Sequence, residues 1–490
     1  MQSAGTGLLL LMRKCLVDLT LHIRKEPICA IREEVAIVNS DITVLSPLPC
    51  QVFQRSDDYV GDIPIAGTYD GEGPVEYRID GTDWQQADIE DGHFSAKILS
   101  VPVGGPYLLE LKTGAGAYVR IPDLLVGDLW VLAGQSNMDG CGKLVNLESP
   151  HKMVHAFYYD ETWGIARDPL CRFNESIDPV HWSVTDSLER EKLNRWNRKF
   201  GTTGAGLGVR FGKVMYKATG VPVGLLVCSH GGTSLAQWDP ALKHLGGRSL
   251  YGSMMRRISV AGGKVAGCLW YQGESDAMTP ERGVGYKEKF RQFIDTVRSD
   301  LQFPEMPFVY VQLACFFGDE ALSEGWNRVQ TDQLALESEL ANIAMVPAID
   351  STLSDSIHLD SVSLRRLGER LAFQALRLRF ARTDILSGPR PKQIEFVDDS
   401  RTLLRIRFEG VNGALHPSTG RCGFTIDANG VPHYIVGWAR AKNDPTSIMI
   451  RLENPVPAGS LLWYGRGLNP PCELRDSQGF PVPVFGPATI

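Results

Sequence analysis

Several things are missing from this 490-residue chain, and each absence removes a class of function. There is no basic excess: the net charge is -7, which leaves neither the cationic footprint of a nucleic-acid binder nor a polybasic stretch for an anionic membrane. No run approaches the ~20 apolar residues a membrane span requires. The opening "GTGLLLLMRKC" has a short apolar core with its basic residues behind it, the reverse of a secretory leader. Residues 1–40 are therefore read as an upstream extension, and the cytoplasm is the default expectation. Ten cysteines are present, but no two form CxxC and the spacings fit no zinc pattern. Cys228, Cys268 and Cys315 lie in apolar runs and are expected to be reduced and buried. Cys15, Cys29, Cys50, Cys422 and Cys472 are left as the candidates for any bridge. Repeats, low-complexity tracts and the Gly-x-Ser-x-Gly elbow of α/β-hydrolases are also lacking.

What is present divides into three textures. Residues 41–125 alternate polar and apolar between Asp-Gly, Gly-Gly and Thr-Gly turns, which predicts a small β domain, a sandwich. From 126 to 385 the pattern changes to continuous apolar strands separated by helices of the correct period. The strands are "DLWVLAG", "VPVGLLVCS", "VAGCLWYQG", "PFVYVQLA" and "NIAMVPAID". Strands apolar throughout are buried on both faces, as in a parallel sheet covered by helices on each side. Tyr286, Phe290, Phe293, Val297 and Leu301 form one helical stripe, and Leu364, Leu367, Leu371 and Leu378 another. The predicted fold class is α/β, a doubly wound three-layer domain. From 386 to 490 alternation returns, predicting a C-terminal β domain.

The chemically unusual residues gather at the carboxyl ends of these strands, where open parallel sheets bind ligands. The first strand is followed by Ser136, the second by "SHGGTS", the third by "YQGESDA" and the last by "STLSDSIHLD". A serine hydroxyl is a weak nucleophile until a base takes its proton, and histidine titrates in the right range to do so. The imidazole in turn needs a carboxylate on its far nitrogen. Asp355, three residues before His358, is placed for this; Asp350 and Asp360 compete, the first ending a strand and the second capping the next helix. Acyl transfer also needs donors aimed at an oxyanion. The Ser136 N–H, a glycine N–H from Gly231 or Gly232, and the Gln272 amide are the candidates, with Gly231 preferred.

Taken together, "GQSNM", "HGGTSLAQW", "WYQGESDA" and "DSIHLD" resemble the SGNH hydrolase superfamily, in its sialate O-acetylesterase and carbohydrate acetylesterase branch. The resemblance runs from about residue 128 to 375, with β segments on either side as in longer members. It implies an SGNH-type fold and a Ser–His–Asp acetylesterase, with Ser136 as nucleophile, His358 as base and Asp355 as orienter. It implies no metal or organic cofactor, and an acetylated carbohydrate, sialate or xylan in type, as partner. Gly-Gln-Ser replaces the superfamily's Gly-Asp-Ser, and "QGESD" replaces its Gly-x-Asn-Asp. Both departures are typical of the branch, where Gln272 is expected to take over the asparagine's oxyanion role. Two other readings are a non-catalytic carbohydrate-binding protein and an esterase of another substrate class.

Other features read as structure. Glu274 is expected to hold its loop. Trp270 is expected in the core, whereas Trp238 is as well suited to a sugar face; Arg167 suits a surface ion pair better than a substrate contact. "HKMVH" has i,i+4 histidines but Lys152 where a metalloprotease needs glutamate. "GTTGAGLG" fails the dinucleotide pattern and is expected to start a helix packed closely on the sheet.

Overall fold

The structure, a computed structural model, describes residues 37–39, 41–417 and 422–490. The reading of the N-terminal extension, and of Cys15 and Cys29, therefore lies outside the described residues, which begin at Ile37.

A mixed α/β sheet forms the centre. Its strands are β1 (Tyr118–Gly134), β2 (Val154–Phe157), β3 (Trp163–Ile165), β4 (Val223–Val227), β5 (Gly267–Tyr271), β6 (Phe308–Gln312) and β7 (Ile343–Pro347). They lie in the order β3-β2-β4-β1-β5-β6-β7, all parallel except the edge strand β3. Every residue of β4, β5, β6 and β7 is buried, as continuous apolar runs require. The chain enters at β1, places β2 and then β3 toward one edge, fills the gap beside β1 with β4, and then adds β5, β6 and β7 on the other side. The loops following β1, β4 and β5 therefore meet where the strand order reverses, the natural ligand crevice of an open α/β sheet.

Five helices cover the sheet: α1 (Gly208–Thr219), α2 (Leu250–Val260), α3 (Tyr286–Asp300), α4 (Ser323–Leu336) and α5 (Ser361–Arg379). Trp130 of β1 packs edge-on to Phe211 of α1, and Trp270 of β5 packs on Phe290 and Phe293 of α3. The register Trp130↔Gly267 and Ala133↔Trp270 sends these two tryptophans to opposite faces. Helices α1 and α5 share the first face. Their approach is close because a Cβ at Gly368 would lie 2.3 Å from Leu207 O. The segment "GTTGAGLG" leads into α1 as expected: a Cβ at Gly208 would lie 2.7 Å from Leu132 Cδ2. The stop signal at Gly220 is also real, with φ of 73° in the left-handed region.

Before the central sheet, an antiparallel sheet of Ile37–Asn39, Ile42–Ser46, Val60–Tyr69, Asp88–Glu90 and His93–Pro102 faces Val75–Ile79, Gly104–Thr113 and the first half of β1. Ile42, Ile63, Phe94, Leu109, Leu111 and Ile121 fill the space between. Strand β1 is continuous from this region into the central sheet. After α5, two four-stranded antiparallel sheets enclose Leu404, Ile406, Ile450, Leu462 and Tyr464, together with Cys315 and Ile349 from the central region. Cys228, Cys268 and Cys315 are buried, and all eight described cysteines are free, so no bridge joins Cys50, Cys422 and Cys472. Among the described residues no helix is long and apolar enough to cross a membrane.

Strand β2, the edge strand β3 and the exposed helix Ser187–Phe200 are elements the sequence reading did not separate. "VHAF" is only four residues long and begins inside the apparent metal motif.

Candidate active site

Strand β1 ends abruptly because Gly134 has φ of 132° and a Cβ there would lie 2.1 Å from Tyr271 O. The chain then turns into a four-residue helix, Ser136–Asp139, with Ser136 at its first position. Gln135 anchors the turn, its N–H bonding Tyr271 O at 2.8 Å and its Oε1 accepting from Gly273 and Ser275 N–H at 3.4 and 3.3 Å.

Asp355 and His358 occupy a tight loop between β7 and α5. His358 Nδ1 lies 2.7 Å from Asp355 Oδ2, while Asp355 Oδ1 accepts the N–H groups of His358 (2.7 Å) and Ile357 (2.9 Å). Burial works against ionisation of Asp355, but these backbone donors and the imidazole outweigh it and hold the carboxyl below its ordinary value. The two competing acids are engaged elsewhere. Asp350 is fully buried between Arg370 and Arg475, both at 2.7 Å, and Asp360 caps α5 through the Ser363 N–H at 2.7 Å.

The residue that joins the serine loop to the histidine loop is Asn137. Its Nδ2 donates to Ile357 O (3.3 Å) and its Oδ1 accepts from Leu359 N–H (3.0 Å), so it grips the chain on both sides of His358. The same Nδ2 also reaches Glu274 Oε1 at 2.8 Å, tying in the loop after β5. Glu274 is thus the loop-holding carboxylate expected. Burial is the main cause raising its affinity for a proton. No hydrogen bond links Ser136 Oγ to His358 among the described residues; the two are neighbours through Asn137 without the direct contact.

The loop after β4 completes the site. A Cβ built on Gly231 would lie 3.5 Å from Ser136 Cβ and 3.1 Å from Asp139 Oδ2, so this backbone runs directly against the serine and a side chain here would crowd Asp139. Gly232 has open space around it instead. Among the described residues nothing accepts a hydrogen bond from the N–H of Ser136 or Gly231. Asp139 is buried beside them, and burial pushes its carboxyl well above its ordinary value, with Ser229 opposing the rise and Glu274 adding to it.

Gln272 departs from expectation. It is fully buried, and its Nε2 donates to Asp276 Oδ2 at 2.6 Å and Thr233 O at 3.1 Å. Both amide protons are committed to loop structure, leaving none for an oxyanion. Trp238 is also corrected as a sugar platform: it is fully buried, bonded through Nε1 to Thr233 Oγ1 and edge-on to Trp270 in the core. Arg167 is exposed, with no acidic partner among the described residues. His155 of "HKMVH" is spent on Cys50 O and Lys152 O, and no group of three or more described His, Cys, Asp or Glu is arranged for a metal.

The roles of Asn137 and Asp139 were not read from the sequence, although the first lies within "GQSNM" and the second directly follows it. An asparagine beside a serine signals nothing until the loop it grips is known.

The chain was compared with known proteins. Residues 126–377 match the family model described as carbohydrate esterase, sialic acid-specific acetylesterase. A probable carbohydrate esterase of Arabidopsis thaliana is 28% identical over 251 residues, half of this chain and 88% of that protein. The human sialate O-acetylesterase is 25% identical over 319 residues, 57% of this chain and 58% of its own length. Among solved structures, a carbohydrate acetylesterase from Xanthomonas citri superposes with a TM-score of 0.62 at 23% identity, covering 90% of this chain and 98% of that one, a likeness of fold. With the matched segment spanning every strand end described above, the chain belongs to the sialic acid-specific acetylesterase family of carbohydrate esterases.

Proposed function

We propose that this protein is a carbohydrate O-acetylesterase that cleaves sugar O-acetyl esters, of sialate or xylan type, through an acyl-enzyme on Ser136. His358 takes the Ser136 proton as the hydroxyl oxygen attacks the acetyl carbonyl, and Asp355 holds the imidazole and balances the imidazolium. The N–H groups of Ser136 and Gly231 receive the oxyanion. The sugar oxygen leaves with the proton from His358. Water, activated by the same histidine, then attacks the acyl-enzyme and releases acetate, restoring Ser136. No step calls on a metal or an organic cofactor. Gln272 enters this scheme as the brace of the loop after β5 and not as a donor.

The observation that carries the reading is the grip of Asn137, next to Ser136, on the residues either side of a histidine already paired to Asp355 at 2.7 Å. Catalytic hydrogen bonds are often long or poorly aligned without substrate and tighten in the Michaelis complex, and a serine and histidine braced on one side chain fit that pattern. We read the architecture as SGNH-type and doubly wound over residues 126–385, with a β domain over 41–125 before it and another over 386–490 after it. The test is acetate release from acetylated xylooligosaccharides and from 9-O-acetylsialic acid. The wild-type chain is expected to release acetate from at least one, and Ser136→Ala to lose several orders of magnitude with its fold intact. Undiminished turnover by Ser136→Ala would remove the serine from the reaction.

A further inference from the structure

A chain of hydrogen bonds beside the cleft has no part in the reaction above. Arg256 Nε and Nη2 clamp Asp178 Oδ1 and Oδ2 at 2.8 and 2.9 Å. Ser253 Oγ donates to Asp178 Oδ2 at 2.6 Å and lies 3.1 Å from His181 Nε2. His181 Nδ1 is 3.0 Å from His230 Nδ1. Asp178, Ser253 and His181 are buried, whereas His230 is only partly so. The Phe173 ring, 4.7 Å away, and the Tyr159 ring, 4.6 Å from His181, keep the two imidazoles in place.

Counting protons along this chain settles the tautomers. A carboxylate clamped by arginine only accepts, so the single hydroxyl proton of Ser253 is committed to Asp178. Ser253 Oγ must then accept from His181 Nε2–H. A neutral His181 with its proton on Nε2 has a bare Nδ1, which can only accept, so His230 donates from Nδ1–H. Both rings are neutral near pH 7: burial brings His230 down to about 4, and burial, then His230, Arg257 and Arg256 depress His181 further. His230 therefore carries a bare Nε2, and no described residue bonds it. It stands one residue before Gly231, the glycine that lies against Ser136.

We propose that His230 is a specificity-determining residue whose Nε2 accepts a hydrogen bond from a hydroxyl of the sugar that bears the ester. This rests on the esterase reading of Ser136 and deepens it. An unpartnered lone pair on a ring of fixed tautomer suits a hydroxyl donor and disfavours a carboxylate at the same place, which points to a neutral, hydroxyl-bearing part of the acetylated sugar beside the glycine loop. The buried chain behind it keeps the ring from flipping or changing tautomer, so the acceptor is set before substrate arrives.

Two readouts test this. In the wild-type protein, long-range proton–nitrogen correlation spectra of labelled histidine should place the proton on Nδ1 of His230 and on Nε2 of His181; a proton on His230 Nε2 overturns the proposal whatever the kinetics. The second readout is the ratio of kcat/KM for acetylated xylooligosaccharide to that for p-nitrophenyl acetate, which has no hydroxyl to offer. His230→Phe should lower this ratio about tenfold, and His230→Asn, which keeps an acceptor, should restore part of it. An unchanged ratio in a folded His230→Phe protein overturns the assignment. Ser136→Ala separates the two failures: if it still turns over both esters, the esterase reading falls; if it is inactive and the ratio is unmoved, only the role of His230 falls.

Discussion

Asn137 shows how much one uncharged side chain can do. It ties its own loop to two others, through Glu274 in one and Ile357 O and Leu359 N–H in the other, and so sets where His358 stands relative to Ser136. Asn137→Ala should leave a folded protein whose kcat/KM with p-nitrophenyl acetate falls about a hundredfold, since misplacement on the ångström scale costs that much. A loss of only a few-fold would make Asn137 dispensable to the geometry. The acid limb of the pH–rate profile is expected to follow one proton. A histidine base can take the Ser136 proton only while uncharged, so activity is expected to fall on acidification, and the carboxyl of Asp355 is held below its ordinary value beside it. A profile flat from pH 5 to 8 would contradict a histidine base. At this scale Ser136, Asp355, His358 and Gly231 could be singled out because each has a chemical identity and a strand end to mark it; that their loops meet is observed, and their roles in the reaction are the proposal made above. Gln272 was misjudged because the sequence does not say that Thr233 and Asp276 already hold its amide.

Among the elements, close contact between α1 and the sheet is what keeps the serine loop in register. A Cβ at Gly212 would come within 2.4 Å of Val154 Cγ1 on β2. Gly212→Val should therefore destabilise the protein by about 1–3 kcal/mol, read as a lowered denaturation midpoint, because the helix must move off the sheet. An unchanged midpoint would show that the contact yields freely. At the start of α5, Asp360→Ala should cost about 1 kcal/mol through loss of the Ser363 cap. The five central strands and the α3 and α5 stripes were legible because period and apolar runs report burial directly. Strand β2 was not: its four residues are shorter than any periodicity can resolve, and burial of His155 depends on the distant Cys50 carbonyl.

In the whole molecule, the C-terminal sheets are locked onto the central one by buried polar contacts. Gln312 exchanges two hydrogen bonds with the backbone of Val484, both at 2.9 Å. Asp350, just after β7, is clamped by Arg370 of α5 and Arg475 of the C-terminal region. Burial alone would raise the Asp350 carboxyl, but Arg370, Arg475 and Arg366 outweigh it and hold it below its usual value. A depressed folded-state value contributes stability above the ordinary carboxylate range, which is lost as pH falls through the folded value. Asp350→Asn should cost about 3 kcal/mol at pH 7, since it strands the buried Arg370 and leaves the partly exposed Arg475 unpaired, with the gap from wild type narrowing on acidification. A gap independent of pH would contradict the charge-based account. The three textures of the sequence foretold β, α/β and β regions, but not that Cys315 and Ile349 of the second would complete the core of the third.

The central claim is that Ser136 is the hydroxyl activated by its neighbours, and covalent labelling tests it most directly. After treatment with a fluorophosphonate, peptide mass spectrometry should find one adduct per chain, on Ser136, appearing in step with loss of acetate release and absent from His358→Ala on the same time scale. An adduct on a different residue, or full acetate release by a chain labelled at Ser136, would contradict it.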